Sequence, residues 1–259
     1  MNSPVILSQP ERLQRRVEGS MYLFFSITRS PDQRITRSSM LFVLIVCLSA
    51  LAAAQQADSS PTPTVTFSCY WEAYTPQEYI ITVQENGSVK YVSRNPAQPP
   101  DANGVRDEDY TLGFTMSPAT RAKVFEFAEQ ANFFDGKFDY TKHAVASTGK
   151  KTLSYADGKR HFQTSYNWSQ NTAIDQLTNI FSGISATIEH GRKLVFLRRF
   201  DKLGLEAELQ GMERMAQNHD LAEIQIIAPT LENIANDAAV LNIARQRARR
   251  LLTLANQER

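Results

Sequence analysis

Tyr79–Val92, YIITVQENGSVKYV, is the stretch that decides the fold. Two short arms, Tyr79–Val83 and Ser88–Val92, flank Glu85-Asn86-Gly87. Asn-Gly favours positive φ at both central positions of a tight turn, so the stretch predicts a β-hairpin. Lys151–Tyr155 and Lys159–Ser165 predict a second one around Asp157-Gly158. In its second arm His161 and Phe162 fall on opposite faces by the period of two. Val65–Trp71, rich in β-branched and aromatic residues, and Tyr110–Thr115 add two strands. Between them Asn95–Glu108 carries three prolines and many polar residues and reads as a loop. Ser117-Pro118 opens a helix with serine as its cap and proline at its first position. Val124, Phe125, Ala128 and Ala131 form its apolar face, Phe133-Phe134 lie just beyond, and Asp135-Gly136 ends it.

The second half carries no strand signal. Ile174, Leu177, Phe181, Ile184 and Ile188 recur at three and four, predicting an amphipathic helix over 171–190. A basic, aliphatic segment follows, then Leu203, Leu205, Leu209, Met212 and Ala216, with a break at Asn218–Asp220. Ile224, Ile227, Leu231, Ile234, Ala238, Leu241, Ala244, Ala248 and Leu251 continue the pattern, and Pro229 must kink or split it. Three to five helices packed as antiparallel hairpins are expected, with no internal repeat to build an array. The fold class is therefore α+β: an antiparallel sheet of hairpins packed on one or more helices, followed by an all-helical C-terminal part. The expected organisation is a leader over 1–54, a polar linker over 55–64, an α+β domain over 65–168 and a helical region over 170–256.

Leu41–Ala54, LFVLIVCLSALAAA, has the grammar of a secretory signal peptide. Arg29, Arg34 and Arg37 precede an apolar run, and small residues end it. The run is 14 residues long, against about 20 for a spanning helix. Ala52 and Ala54 occupy the small positions before a cut, placing the mature start at Gln55. An uncleaved signal anchor is the alternative. Val46 before Cys47 argues against a lipoprotein. Residues 1–39 are long for a leader, and a start at Met21 shortens it to 34 residues. Residues 1–20 are then not translated.

Composition narrows the function classes. Residues 55–259 hold 22 basic and 24 acidic groups, a net charge of −2. No global basic field exists to bind nucleic acid. Cys69 is the single cysteine after the leader, so an internal disulfide is excluded. A buried thiol, a reactive thiol and an intermolecular bridge stay open for it.

Cys69–Tyr91, CYWEAYTPQEYIITVQENGSVKY, resembles a family of bacterial exported domains of unknown function. Pro76, Tyr79, Gly87, Val89 and Tyr91 stand at places similar to that family's proline, Tyr-led strand, Gly-centred turn and V-x-Y strand. Thr75 stands where the family has a second cysteine, and Tyr79 follows Pro76 by three rather than two. The resemblance covers at most 64–190. It implies bacterial origin, export and an α+β domain, and it carries no catalytic residue.

The residues offer little chemistry at recognised spacings. His143, His161, His190 and His219 have no partner at a metal-ligand spacing. Asp101, Asn103, Asp107 and Asp109 supply oxygen ligands around Gly104, but Val105, Arg106 and Leu112 stand where a calcium loop needs oxygen, glycine and glutamate. No G-x-S-x-G elbow and no glycine-rich phosphate loop occurs, and no cofactor is expected. Cys69 and His143 or His161 would have to meet in space to act together. Aromatics crowd the first hairpin, with Trp71 among them, and Trp168 follows the second; a face of them would stack on sugars or peptides. Arg192, Lys193, Arg198 and Arg199 flank Leu194–Leu197. Arg245, Arg247, Arg249 and Arg250 lie near the end of the last helix, where they would complement its dipole or meet anionic lipid or an acidic partner.

The leading expectation is an exported, periplasmic or secreted, non-enzymatic interaction module, with the helical part offering a protein contact. A hydrolase-like extracytoplasmic enzyme and a peripheral membrane protein are the alternatives. A pocket joining Cys69, a histidine and a carboxylate would favour the enzyme.

Overall fold

The structure, a computed structural model, describes residues 61–99, 102 and 108–257. Six strands form one antiparallel sheet: β1 (Thr64–Tyr70), β2 (Glu78–Gln84), β3 (Ser88–Arg94), β4 (Tyr110–Thr115), β5 (Lys150–Ala156) and β6 (His161–Tyr166). Their order is β4-β3-β2-β1-β5-β6. Both expected hairpins are present, β2–β3 and β5–β6. The β2–β3 loop differs in one respect from the Asn-Gly expectation. Only Gly87 takes a positive φ, at +90°. Asn86 instead turns its side chain to accept from the Ser88 amide at 2.9 Å. This is a loop of three residues closed by a left-handed glycine, the second commonest hairpin solution.

After β4 the chain leaves the sheet edge through α1 (Pro118–Gln130) and returns to place β5 beside β1, at the centre. The Ser117 side chain caps α1 by accepting from the Thr120 amide at 3.3 Å. The helix stops before Asp135-Gly136, because Asn132, Phe133 and Phe134 take left-handed φ values of 48°, 54° and 71°. Non-glycine residues pay for that conformation with steric strain. Here it drives Phe134 fully into the core.

The period of two puts Val65, Phe67, Ile81, Val83, Val89, Tyr91, Leu153 and Tyr155 on one buried face of the sheet. On the other face Thr66, Ser68, Thr82, Thr152 and Ser154 are only half-buried. The buried face is covered by α1 and by the first part of α2 (Thr172–Phe200). The helix α2 outruns the expected 171–190 by ten residues. Leu194 and Leu197 extend its apolar stripe into a second buried cluster, shared with α3 (Gly204–Gln217), α4 (Ala228–Ala235) and α5 (Asn242–Gln257). Gly191 marks the changeover. A Cβ there would stand 2.3 Å from Ile227 Cγ2, so the absence of a side chain lets the turn Ile224–Ile227 lie directly on α2. Pro229 splits the run and does not kink a helix; it sits in the first turn of α4, where its missing N–H costs nothing. The described residues belong to one compact unit.

The four late arginines are in the body of α5 rather than its last turn, so the dipole reading does not hold for that helix. Acids of α3 take two of them. Arg247 pairs with Glu206 at 3.0 Å and with Glu213, and Arg250 pairs with Glu213 at 2.6 Å. Arg249 donates to the Ala235 carbonyl, at the end of α4, at 2.9 Å. Arg245 reaches Asn242 at 3.5 Å. Burial works against ionisation of Glu213, but the bonds from Arg250 and Arg247 outweigh it and hold its carboxyl below the usual range. Glu208 is held down in the same way by Lys193 and His190 against its own burial. A carboxyl depressed in the folded state adds stability above its unfolded value, about 4.3, and that stability is lost as pH falls through the folded value. The helical part should therefore lose melting temperature steeply below about pH 4. Glu213→Gln should lower the neutral-pH melting temperature and flatten that acid limb. An unchanged slope would show that this ion-pair cluster does not couple to folding.

Candidate functional site

One row of the sheet departs from the apolar pattern. Tyr166, Lys151, Cys69, Tyr79, Ser93 and Tyr110 are direct register partners in turn, crossing the strands in the order β6-β5-β1-β2-β3-β4. Six strands about 4.8 Å apart make that row about 24 Å long. The helix α2 runs along it. Thr178, Ser182, Ser185, Glu189 and Arg192 recur at four and three, forming a polar stripe about 21 Å long beside the apolar one.

The two rows are joined by hydroxyl chemistry. Tyr166 Oη meets Thr178 Oγ1 at 2.6 Å and Tyr79 Oη meets Ser182 Oγ at 3.4 Å. Tyr91, one step further in, meets Ser185 Oγ at 3.2 Å and donates to Glu189 Oε1 at 2.7 Å. Glu189 also accepts from Ser93 Oγ at 2.9 Å and from Arg192 at 2.7 Å. The Arg192 guanidinium lies 4.1 Å from the centre of the Tyr110 ring. Burial pushes the Tyr79, Tyr91 and Tyr166 phenols far above their ordinary range, so they remain neutral hydroxyls.

A cleft of about 910 Å³ opens along this seam. Cys69, Tyr79, Lys151 and Tyr166 contribute to its sheet side, and α2 lines it from Asp175 to Lys193. Its aromatic rim is Trp71, Tyr74 and Trp168. These are the chain's two tryptophans, brought to one opening from the ends of β1 and β6. The Trp71 and Tyr74 rings are parallel within 3°, with centres 5.7 Å apart. Gly149 backs Trp71: its φ is +90°, and a Cβ there would stand 2.7 Å from Trp71 Cβ. Trp168 is held edge-on against Tyr140 at 5.0 Å, and the Tyr140 amide donates to the Trp168 carbonyl at 2.9 Å.

Lys151 fixes the rim from beneath. Its buried ammonium donates to the Thr148 carbonyl at 3.0 Å, to Thr148 Oγ1 at 2.8 Å and to the Asn167 carbonyl at 2.9 Å. It thereby ties the start of β5 to the segment carrying Trp168. Burial pulls its pKa down. Burial also pushes the Cys69 thiol up, against the pull of nearby Lys151, so Cys69 is a buried thiol and not a poised thiolate.

The cleft does contain Cys69, a histidine and two carboxylates, but they do not converge. Cys69 sits between the strands that reach Thr178 and Ser182, whereas His190 lies about 15 Å further along α2. His190 Nδ1 is engaged by Glu208 at 2.5 Å. Asp175 is at the opposite end of the lining and accepts from Asn179 at 3.3 Å. No Cys–His pair is assembled here.

No family model and no curated protein matches this chain.

Of the residues singled out from sequence, Trp71 and Trp168 come together in the cleft, while Arg245, Arg247, Arg249 and Arg250 lie on α5. Asp101, Asn103 and Asp107, like Ala52, Ala54 and Gln55, lie outside the described residues. Asp109 is exposed and stands 4.0 Å from Arg94. Among the described residues no three His, Cys, Asp or Glu side chains group to hold a metal. The polar row and its helix stripe are not among the residues singled out from sequence. The stripe is visible as hydroxyl and charged residues at helical spacing next to the apolar ones, but only strand register aligns Tyr166, Tyr79 and Tyr110.

Proposed function

We propose that this chain is an exported, non-enzymatic binding module and that the cleft between the sheet and α2 is its binding site. The observation that carries the reading is the meeting of both tryptophans on one rim above a floor of neutral hydroxyls. Flat aromatic faces beside hydroxyl and amide groups suit a ligand with an apolar ring face and polar edges, such as a saccharide. The volume lies within the range of small-molecule sites. The separation of Cys69 from His190 weighs against the hydrolase alternative. Export rests on the signal grammar of Leu41–Ala54, and bacterial origin on the resemblance of Cys69–Tyr91.

Because both tryptophans line the cleft, intrinsic fluorescence reads its occupancy directly. Titration with soluble oligosaccharides is expected to give a saturable change in emission. Trp168→Ala should weaken binding about tenfold, the worth of one well-placed aromatic contact. Silent fluorescence, together with an ester- or glycoside-hydrolysing activity that Cys69→Ala abolishes, would replace this reading with the enzymatic one.

A further inference from the structure

The far end of α2 presents a different surface. Val195, Phe196, Phe200 and Leu203 are 57%, 58%, 64% and 75% exposed, although each is a large apolar side chain. The Phe196 and Phe200 rings touch, with centres 4.9 Å apart. They do not belong to the helix's core stripe, which runs through Leu194 and Leu197. Cations surround them. Arg199 lies 5.0 Å from the Phe200 ring centre, and Arg198 and Lys202 share one counter-charge, Asp237, at 3.3 and 3.7 Å. Asp201, exposed at the start of α3, accepts from the Gly204 amide at 3.0 Å and leaves one carboxylate among these cations.

The charge and the shape both restrict what covers this end. A protein groove would need acidic walls around deep apolar pockets. Protruding aromatics ringed by cations instead match the boundary between acyl chains and anionic headgroups. Among the described residues no helix is long and apolar enough to cross a membrane. We propose that this end docks on anionic phospholipid bilayers, with Phe196, Phe200 and Leu203 entering the headgroup boundary and Arg198, Arg199 and Lys202 facing the phosphates. The cleft reading does not depend on it.

Vesicle co-sedimentation of the full chain tests this. Vesicles of phosphatidylcholine alone are compared with vesicles containing phosphatidylglycerol, and size is followed by light scattering. The parent is expected to prefer the anionic vesicles. Phe196→Ser/Phe200→Ser/Leu203→Ser should bind them at least about tenfold more weakly, with an unchanged melting temperature. Arg198→Gln/Arg199→Gln should lose about fivefold per cation, and added salt should reproduce that loss. Equal binding by parent and triple variant would overturn the proposal, since another segment such as Leu41–Ala54 would then carry the contact. So would equal binding to neutral and anionic vesicles, or a dimer that the triple variant abolishes without any vesicle binding by the parent.

Discussion

Phe181→Ala is expected to lower the unfolding free energy by about 3–5 kcal/mol, the usual cost of deleting a fully buried phenyl ring. Phe181 is 0% exposed, and its ring lies parallel to that of Phe67 at 5.1 Å and 7°. This stack joins α2 to the central strand β1, immediately inside the polar row. The neighbouring strands and helix turns are already packed and can close the void only in part, so both lost contact and cavity are felt. At about 2–4 °C per kcal/mol for a chain of this size, the melting temperature should fall by about 6–20 °C. Ser182→Ala is the matched control on the same helix turn. It removes only the long 3.4 Å contact to Tyr79 and should cost about 1 kcal/mol or less. Thermal and denaturant unfolding of the two variants decide the matter. A loss below about 1 kcal/mol for Phe181→Ala would mean that the stack does not hold α2 on the sheet.

Glu223→Ala should cost about 2–4 kcal/mol. Glu223 is 2% exposed and has a left-handed φ of 57°. Its carboxylate accepts from the Ser117 amide at 2.8 Å, from Ser117 Oγ at 2.6 Å and from Gln225 at 2.6 Å. Ser117 is also the cap of α1, so one side chain ties the start of α1 to the turn that lies on α2. Alanine would leave the buried Ser117 amide without its acceptor and would keep the backbone strain that the side chain now offsets. Glu223→Gln retains an acceptor oxygen of the same reach and should cost less than half as much. Equal losses for the two variants would show that the charge, rather than the acceptor, is what Ser117 requires.

The hairpins, the Ser117-Pro118 helix start and the amphipathic stripe of Ile174–Ile188 were legible because each is specified by residues near one another in sequence. Asn86-Gly87 and Asp157-Gly158 mark reversals, and a stripe at three and four marks one buried helix face. The end of α1 was not legible in the same way. Asn132 tolerates the left-handed region, but Phe133 and Phe134 before Asp135 have no local preference for it; the burial of Phe134 selects it. Nor was the full length of α2. Gly191 is a poor helix residue, tolerated because Ile227, distant in sequence, occupies the space its side chain would need. The late arginines depart from the dipole expectation for a related reason. A cluster of cations on a helix suggests its dipole until the acids of α3 are found beside it.

By itself, then, the sequence determined an α+β chain of hairpins and helices, with an apolar run at Leu41–Ala54 shorter than an ordinary spanning helix. These follow from composition and from periods of two and of three to four, which act over a few residues. Tertiary structure alone decided that β5 enters beside β1, and that Tyr166, Lys151, Cys69, Tyr79, Ser93 and Tyr110 form one row under α2. It also brought Trp71 and Trp168 to one cleft and left Phe196 and Phe200 outside both cores. Each of these depends on strand register or helix docking between residues far apart in the chain, where pairing is set by the burial of whole faces and no local preference encodes it.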